Sequence, residues 1–425
     1  MIGDLEVDGQ VAQWRASVLQ AGGELGRLVA EFDWSANPLG PMRNWPPSLR
    51  TAVGVCLTSK FPIVLWWGPE LTLIYNDGYR PMLGSKHPHA LGSPGKEVWP
   101  EIWELIGPML AGVLAGKGAT WSDDQLLLLD RNGYLEECYF TFSYSPIIDE
   151  SGATGGVFCA VTETTDRIVG ARRLTTLSSL AAQLVDAPSA EAACQRAMTV
   201  LVGNAEDVRF GQVHLRRPGG RFEQVAGCGE PDRWPVDEVA ESGASALVSG
   251  PGGAGEPSAY VVPILEPGVH AASTVHAAGT VHAAGTVPAT STVPAASAVL
   301  VVGVSDRRPF DDGYRSFLDL SAGHIGTAIG GARVLEAQRR RAQALAELDA
   351  AKTTFFSNIS HELRTPLTLI LAPVADALDD REQPLTGRQR ERLELVARNA
   401  NRLRRLVNGM LDFAKMEAGR LVPEL

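Results

Sequence analysis

The run Phe355-Phe356-Ser357-Asn358-Ile359-Ser360-His361-Glu362-Leu363-Arg364-Thr365-Pro366-Leu367 sets one histidine beside one carboxylate. Its apolar residues recur at helical spacing. At about 100° per residue, with Phe355 as zero, Ile359, Leu363, Pro366, Ile370 and Val374 fall between roughly 20° and 100°, whereas His361 falls near ~240°. The histidine is therefore expected to point away from the apolar seam. Upstream, Val334 to Thr365 holds no Gly or Pro and is rich in Ala, Leu, Arg, Glu and Gln, which predicts one long helix.

Downstream, Gln383-Pro384-Leu385 reads as a loop, and Thr386 three residues before Gln389 as a capping box that starts a second helix. Leu393, Val396, Ala400, Leu403, Val407, Met410 and Ala414 then keep a three-four spacing, that of a coiled-coil seam. A hairpin with one apolar stripe per helix cannot bury both stripes alone, so the expected assembly is a homodimer, two hairpins making a four-helix bundle. Pro366 removes an N–H and is expected to bend the helix just after the histidine.

Phe356 to Leu367 resembles the H-box of the dimerisation and phosphoacceptor (HisKA) domain of bacterial sensor histidine kinases, without departure at its defining positions. The resemblance implies that His361 is the phosphoacceptor, a neutral ring nitrogen attacking the γ-phosphate of ATP. It implies that Glu362 orients the ring as base partner, and that Thr365, one turn on, positions water for phosphatase action on a response-regulator aspartate. Read without that motif, His361 and Glu362 would be a solvated histidine and a surface charge.

The other regions are mixed α/β. A chain of 425 residues exceeds one ordinary core, and its net charge of -11 argues against a nucleic-acid partner or a broad grip on anionic lipid. No stretch approaches the ~20 apolar residues of a membrane span, and the acidic start is unlike a signal peptide; a cytoplasmic location is expected. The scattered cysteines Cys56, Cys138, Cys159, Cys194 and Cys228 form no CxxC pair and read as buried, reduced thiols.

Residues 1–32 read as an N-terminal helical segment, broken near Asp33 by the prolines that follow. In residues 33–170, strand-like runs flank a helical middle from Val98 to Leu114. Leu126 to Asp130 and Cys138 to Ser145 read as a hairpin closed by a tight Asn132-Gly133 type I′ turn. Trp67 to Tyr79 and Gly155 to Asp166 in this region resemble a PAS domain. No flavin-adduct cysteine motif is apparent, and His87 and His89 flank Pro88 in a loop, unfavourable for haem.

Residues 171–333 form a second mixed region that resembles a GAF domain, mainly through Arg308-Pro309-Phe310-Asp311-Asp312-Gly313-Tyr314-Arg315-Ser316-Phe317. Its insertion, residues 269–298, is a low-complexity hexapeptide array starting at Val269, Val275, Val281, Val287 and Val293. His270, His276 and His282 recur within it without a thiolate or carboxylate companion, so metal binding is not the favoured reading. Ser249 to Gly255 lacks the lysine of a phosphate loop. His214 and His324 read as structural.

The expected fold is thus multi-domain α+β: PAS-like and GAF-like sensor domains followed by a helical hairpin, residues 334–425. The expected function is that of a sensor histidine kinase of a two-component phosphorelay, with a response-regulator receiver domain as partner. No ATP-binding domain is read in these residues, so ATP and Mg2+ are implied for a catalytic domain acting in cis or in trans, and no cofactor is expected here. Two alternatives stand beside it: a non-enzymatic phosphotransfer scaffold phosphorylated in trans, and a ligand-binding dimer in which His361 is vestigial. Signal transfer is expected along the helices from Arg167 to Leu184 and from Gly331 to Thr354.

Overall fold

The computed structural model describes residues 12–18, 20–228, 234–249, 258–265, 296–380 and 385–417, without the side chains of 411–417. The array from Val269 to residue 295, its histidines and most of the Ser249 to Gly255 stretch lie outside the described residues. The chain divides into two compact units, Met1–Gly330 and Gly331–Leu425.

In the first unit, α1 (Gly23–Glu31) and α2 (Pro47–Thr58) precede β1 (Ile63–Trp67) and β2 (Thr72–Tyr75). Then come α3 (Trp103–Leu114), β3 (Ser122–Asp130), β4 (Leu135–Ile148) and β5 (Thr154–Glu163). The strands make an antiparallel sheet of order β2-β1-β5-β4-β3. β1 is buried at every position, which its run Ile-Val-Leu-Trp-Trp requires: a strand covered on both faces loses its polar alternation. Val18, Leu25 and Val29 of the N-terminal segment lie in the same apolar core as this sheet. Asp77 holds α1 in place by accepting the backbone N–H groups of Glu24 and Leu25 (3.1 and 3.0 Å), a carboxylate at a helix N-terminus.

The β3–β4 connection differs from the expected tight turn. Asp130 pairs with Leu135, so four residues intervene, and of these only Gly133 takes a positive φ. The reason lies in the side chains: Arg131 and Asn132 both turn back onto Glu136 (2.8 and 3.2 Å), and Asp130 accepts the N–H of Gly133. On β4, Cys138, Phe140, Phe142 and Tyr144 face the core as the alternation predicts. Glu137, on the opposite face, is buried as well.

Glu137 is buried because the second sheet domain packs there. α4 (Thr165–Leu184) leaves β5 and leads to α5 (Ala190–Val202), β6 (Val208–Arg216), β7 (Phe222–Gly227), α6 (Val236–Ser242), β8 (Ala246–Val248), β9 (Ala259–Ile264) and β10 (Ala298–Val304). This antiparallel sheet has the order β7-β6-β10-β9-β8, the same as the first when each is counted from its own first strand. β10 is wholly buried: Ala298, Leu300, Val302 and Val304 enter the core under α5, while Val299 and Val301 enter a second cluster with Trp234 and Val239. His214 is buried beside Gln212 (3.1 Å). Four of the five cysteines are buried as expected, but Cys228, just past β7, is exposed.

The two sheet domains meet through charge. Arg172 on α4 donates to Glu137 (2.6 Å) and to Asp207 (2.8 Å), and Arg173 donates to the other oxygen of Asp207 (3.0 Å). Asp207 is fully buried. Burial alone raises its carboxyl pKa, but the hydrogen bond from Arg172, the charges of both arginines and Asn204 outweigh it, leaving the group below the usual carboxylate range. The hydroxyl of Tyr314 donates to the Asp207 carbonyl, and the Arg173 guanidinium stacks 4.2 Å from the Tyr314 ring. Asp207→Ala would leave the buried Arg173 and the half-buried Arg172 short of a partner and should cost roughly 3–5 kcal/mol of stability, measured by urea unfolding. A carboxyl lowered on folding stabilises above its unfolded pKa, so the difference between wild type and variant should be full at neutral pH and fade as pH falls below about 4.

Candidate functional site

The long helix α7 spans Asp312–Asp379, beginning well before the expected Val334 and continuing through Pro366 and Pro373. Asp311 caps it by accepting the N–H of Tyr314 (2.7 Å). The antiparallel partner α8 spans Gly387–Glu417. The Thr386 N–H donates to Gln389 Oε1 (3.0 Å) and the Thr386 hydroxyl to the same atom (2.8 Å), so the reciprocal half of a capping box is in place. Arg390 donates to the Leu378 carbonyl (3.2 Å), satisfying a late carbonyl of α7.

Within one hairpin the apolar residues separate into two rows. Ser360 and Leu367 on α7, with Ala400 and Val407 on α8, are buried, and Phe356, Leu371, Val374 and Leu393 are half-buried beside them. Phe355, Leu363, Ile370, Val396, Leu403 and Met410, all on the expected seam, remain 39–59% exposed. The inner row on α7 is therefore turned by about one residue from the predicted stripe. It takes in Ser360, a small side chain that is buried there.

His361, Glu362 and Thr365 are all exposed. Taking Leu367 as the inward direction, His361 lies about 120° round the helix, on the flank opposite Leu363 and Ile370. Its ring is accessible to a macromolecular donor without either apolar row being disturbed. The Thr365 hydroxyl donates to the His361 carbonyl (3.3 Å), which places it one turn along the same exposed flank.

Residues 351–419 match the family described as the His Kinase A (phospho-acceptor) domain. The hairpin is a HisKA domain. Among relatives, the HisKA-bearing chain is 49% identical over 75 residues to hybrid signal transduction histidine kinase D of Dictyostelium discoideum, covering 18% of this chain and 5% of that protein. It is 40% identical over 90 residues to the signal transduction histidine-protein kinase BarA of Escherichia coli (strain K12), covering 21% and 9%. The matched stretch thus spans under a tenth of either relative. Among solved structures, the GAF domain from Acinetobacter phosphoenolpyruvate-protein phosphotransferase aligns with 38% of this chain and 95% of its own, at 15% identity and a TM-score of 0.28.

Elsewhere, a cavity of about 40 Å³ lies in the first core, lined by Trp66, Tyr79, Met82, Phe142, Tyr144 and Cys159 among others; that is room for water rather than a prosthetic group. Burial pushes the Cys159 thiol well up and the Cys138 thiol to about 12, so both are protonated, unreactive core residues. His87 is held by the Tyr75 hydroxyl (2.8 Å) and faces Glu24. Among the described residues no group of three or more His, Cys, Asp or Glu is placed to hold a metal ion, and no helix is long and apolar enough to cross a membrane. His361→Gln should change the unfolding free energy by less than about 0.5 kcal/mol, as for an exposed side chain without packing duty, measured by thermal or urea unfolding.

Proposed function

We propose that the HisKA domain is the phosphoacceptor of a two-component sensor histidine kinase, with His361 as the residue that carries the phosphoryl group. The observation that supports this most is the placement of the His361-Glu362 pair on an exposed flank of α7, clear of both apolar rows, inside the matched HisKA region. A neutral ring nitrogen of His361 attacks the γ-phosphorus of ATP, the bond to the bridging oxygen of ADP breaks, and the proton on the other ring nitrogen is drawn towards Glu362. The phosphohistidine then donates to an aspartate of a response-regulator receiver domain, leaving the imidazole free for another cycle. ATP and Mg2+ are supplied by an ATP-binding domain in cis or in trans, in the cytoplasm.

The exposed row of Phe355, Leu363, Ile370, Val396, Leu403 and Met410 supports a homodimer in which two hairpins close into a four-helix bundle, since such a stripe is unfavourable in water. His361 would stay outside that bundle. The first sheet domain is read as PAS-like and the second as GAF-like, both as sensor domains.

Incubating the chain with radiolabelled ATP and an added histidine-kinase ATP-binding domain should label it. The label should be lost in acid and absent in His361→Gln; an unlabelled wild type would discard the proposal. Glu362→Gln should slow labelling by about 10²–10⁴-fold, the usual worth of a positioned acid or base, with unchanged circular dichroism. Thr365→Ala should keep the labelling but lose the ability to speed dephosphorylation of the regulator, followed by decay of labelled receiver domain.

A further inference from the structure

We infer that residues 334–352 of α7 pair in parallel with the same residues of a second copy, and that Arg341 makes this stretch the weak, salt-responsive part of the dimer. The inference rests on the homodimer read from the hairpin's outer row and extends it upstream of the inner row. Every residue in 337–352 is exposed, and a lone helix of that length is marginal in water.

The segment has two unlike sides. On one arc Glu336 pairs with Arg340 four residues on (3.9 Å), and Gln343 donates to Glu347 (3.0 Å). On the opposite arc Val334, Leu345 and Leu348 are 59%, 68% and 66% exposed. With Leu367 as the inward direction, Val334, Gln338, Arg341, Leu345, Leu348 and Lys352 all fall between roughly 260° and 340°. Phe355, Leu363 and Ile370, the α7 members of the outer row, fall between roughly 240° and 320°. The stripe is thus one seam at three-four spacing, and a partner that covers the outer row is aligned to cover its continuation. In a homodimer with its two-fold axis along α7, that partner is the same segment of the second copy, and each seam residue meets its own equivalent.

Arg341 then faces Arg341 of the second copy with nothing to offset the charge. Ala337, Ala342 and Ala344 occupy the positions beside it, and Gln338 and Leu345 the seam positions before and after it. Glu336 and Glu347 lie on the opposite arc, engaged with Arg340 and Gln343. Lys352 differs, because Asp349 stands one turn before it at the edge of the seam. A polar or cationic residue in such a seam costs stability, and like charges in contact with solvent repel until salt screens them. The stretch between Val334 and Leu345 is therefore the first part of the seam to open.

The test is disulfide trapping in the full chain carrying Cys228→Ser, since the other four cysteines are buried. Leu345→Cys should trap a dimer, and Glu347→Cys, on the opposite arc, should not. Trapping at Leu345→Cys should rise several-fold between about 0.05 and 0.5 M NaCl. Added Arg341→Leu should abolish that rise, whereas Arg340→Leu, which removes the same charge from the other arc, should keep it. By sedimentation equilibrium, Arg341→Leu should lower the dimer dissociation constant by about tenfold. A chain that sediments as a dimer without trapping at Leu345→Cys, equal trapping at both positions, or a salt response that survives Arg341→Leu would overturn the inference and leave the hairpin dimer standing. A monomeric chain with no trapping would overturn both.

Discussion

The Asp207 carboxylate sits fully inside the protein, where an isolated charge would cost several kcal/mol, and it stays ionised only because two consecutive arginines of α4 close on it. Consecutive residues on a helix point about 100° apart. Arg172 therefore also reaches Glu137 on β4, while Arg173 lies against Tyr314 at the base of α7. One buried carboxylate thus fixes the rotation of the connecting helix against both sheets and against the start of the long helix. Rotating α4 would break ion pairs on two sides at once, so its position has few alternatives within the first unit.

The second unit follows a different logic, in which polar groups are left outside and apolar groups are sorted. The inner row closes the hairpin on itself, the outer row remains in water, and the phosphoacceptor candidate occupies the remaining arc. A reactive histidine placed on the inner row would be shielded by Leu and Val side chains, and one on the outer row would be covered in the proposed dimer. On its own arc it keeps solvent, and Glu362 and Thr365 with it.

The hairpin was legible because its information is local: the H-box, a three-four repeat and a capping residue all lie within a few turns of one another. The domain junction was not. Glu137, the Arg172-Arg173 pair, Asp207 and Arg308 are widely separated along the chain, and each looks like an ordinary surface charge until the fold brings them together. The true start of α7 was hidden by glycines that resemble breaks. Gly326 is one of them: a Cβ there would lie 2.5 Å from the Leu265 carbonyl oxygen, so glycine serves close approach to the end of β9 rather than a turn. The Asn132-Gly133 pair misled in the opposite direction, because the side chains of Arg131 and Asn132 were committed to Glu136.

β9 and β10 are adjacent antiparallel partners, with Ile264 opposite Ala298. The hexapeptide array thus enters and leaves the fold through two neighbouring points pinned by a ladder. The entropy of closing a loop grows only with the logarithm of its length, about 0.6 kcal/mol per doubling. The register of β9 against β10 is set by that ladder and not by the number of residues between the two strands.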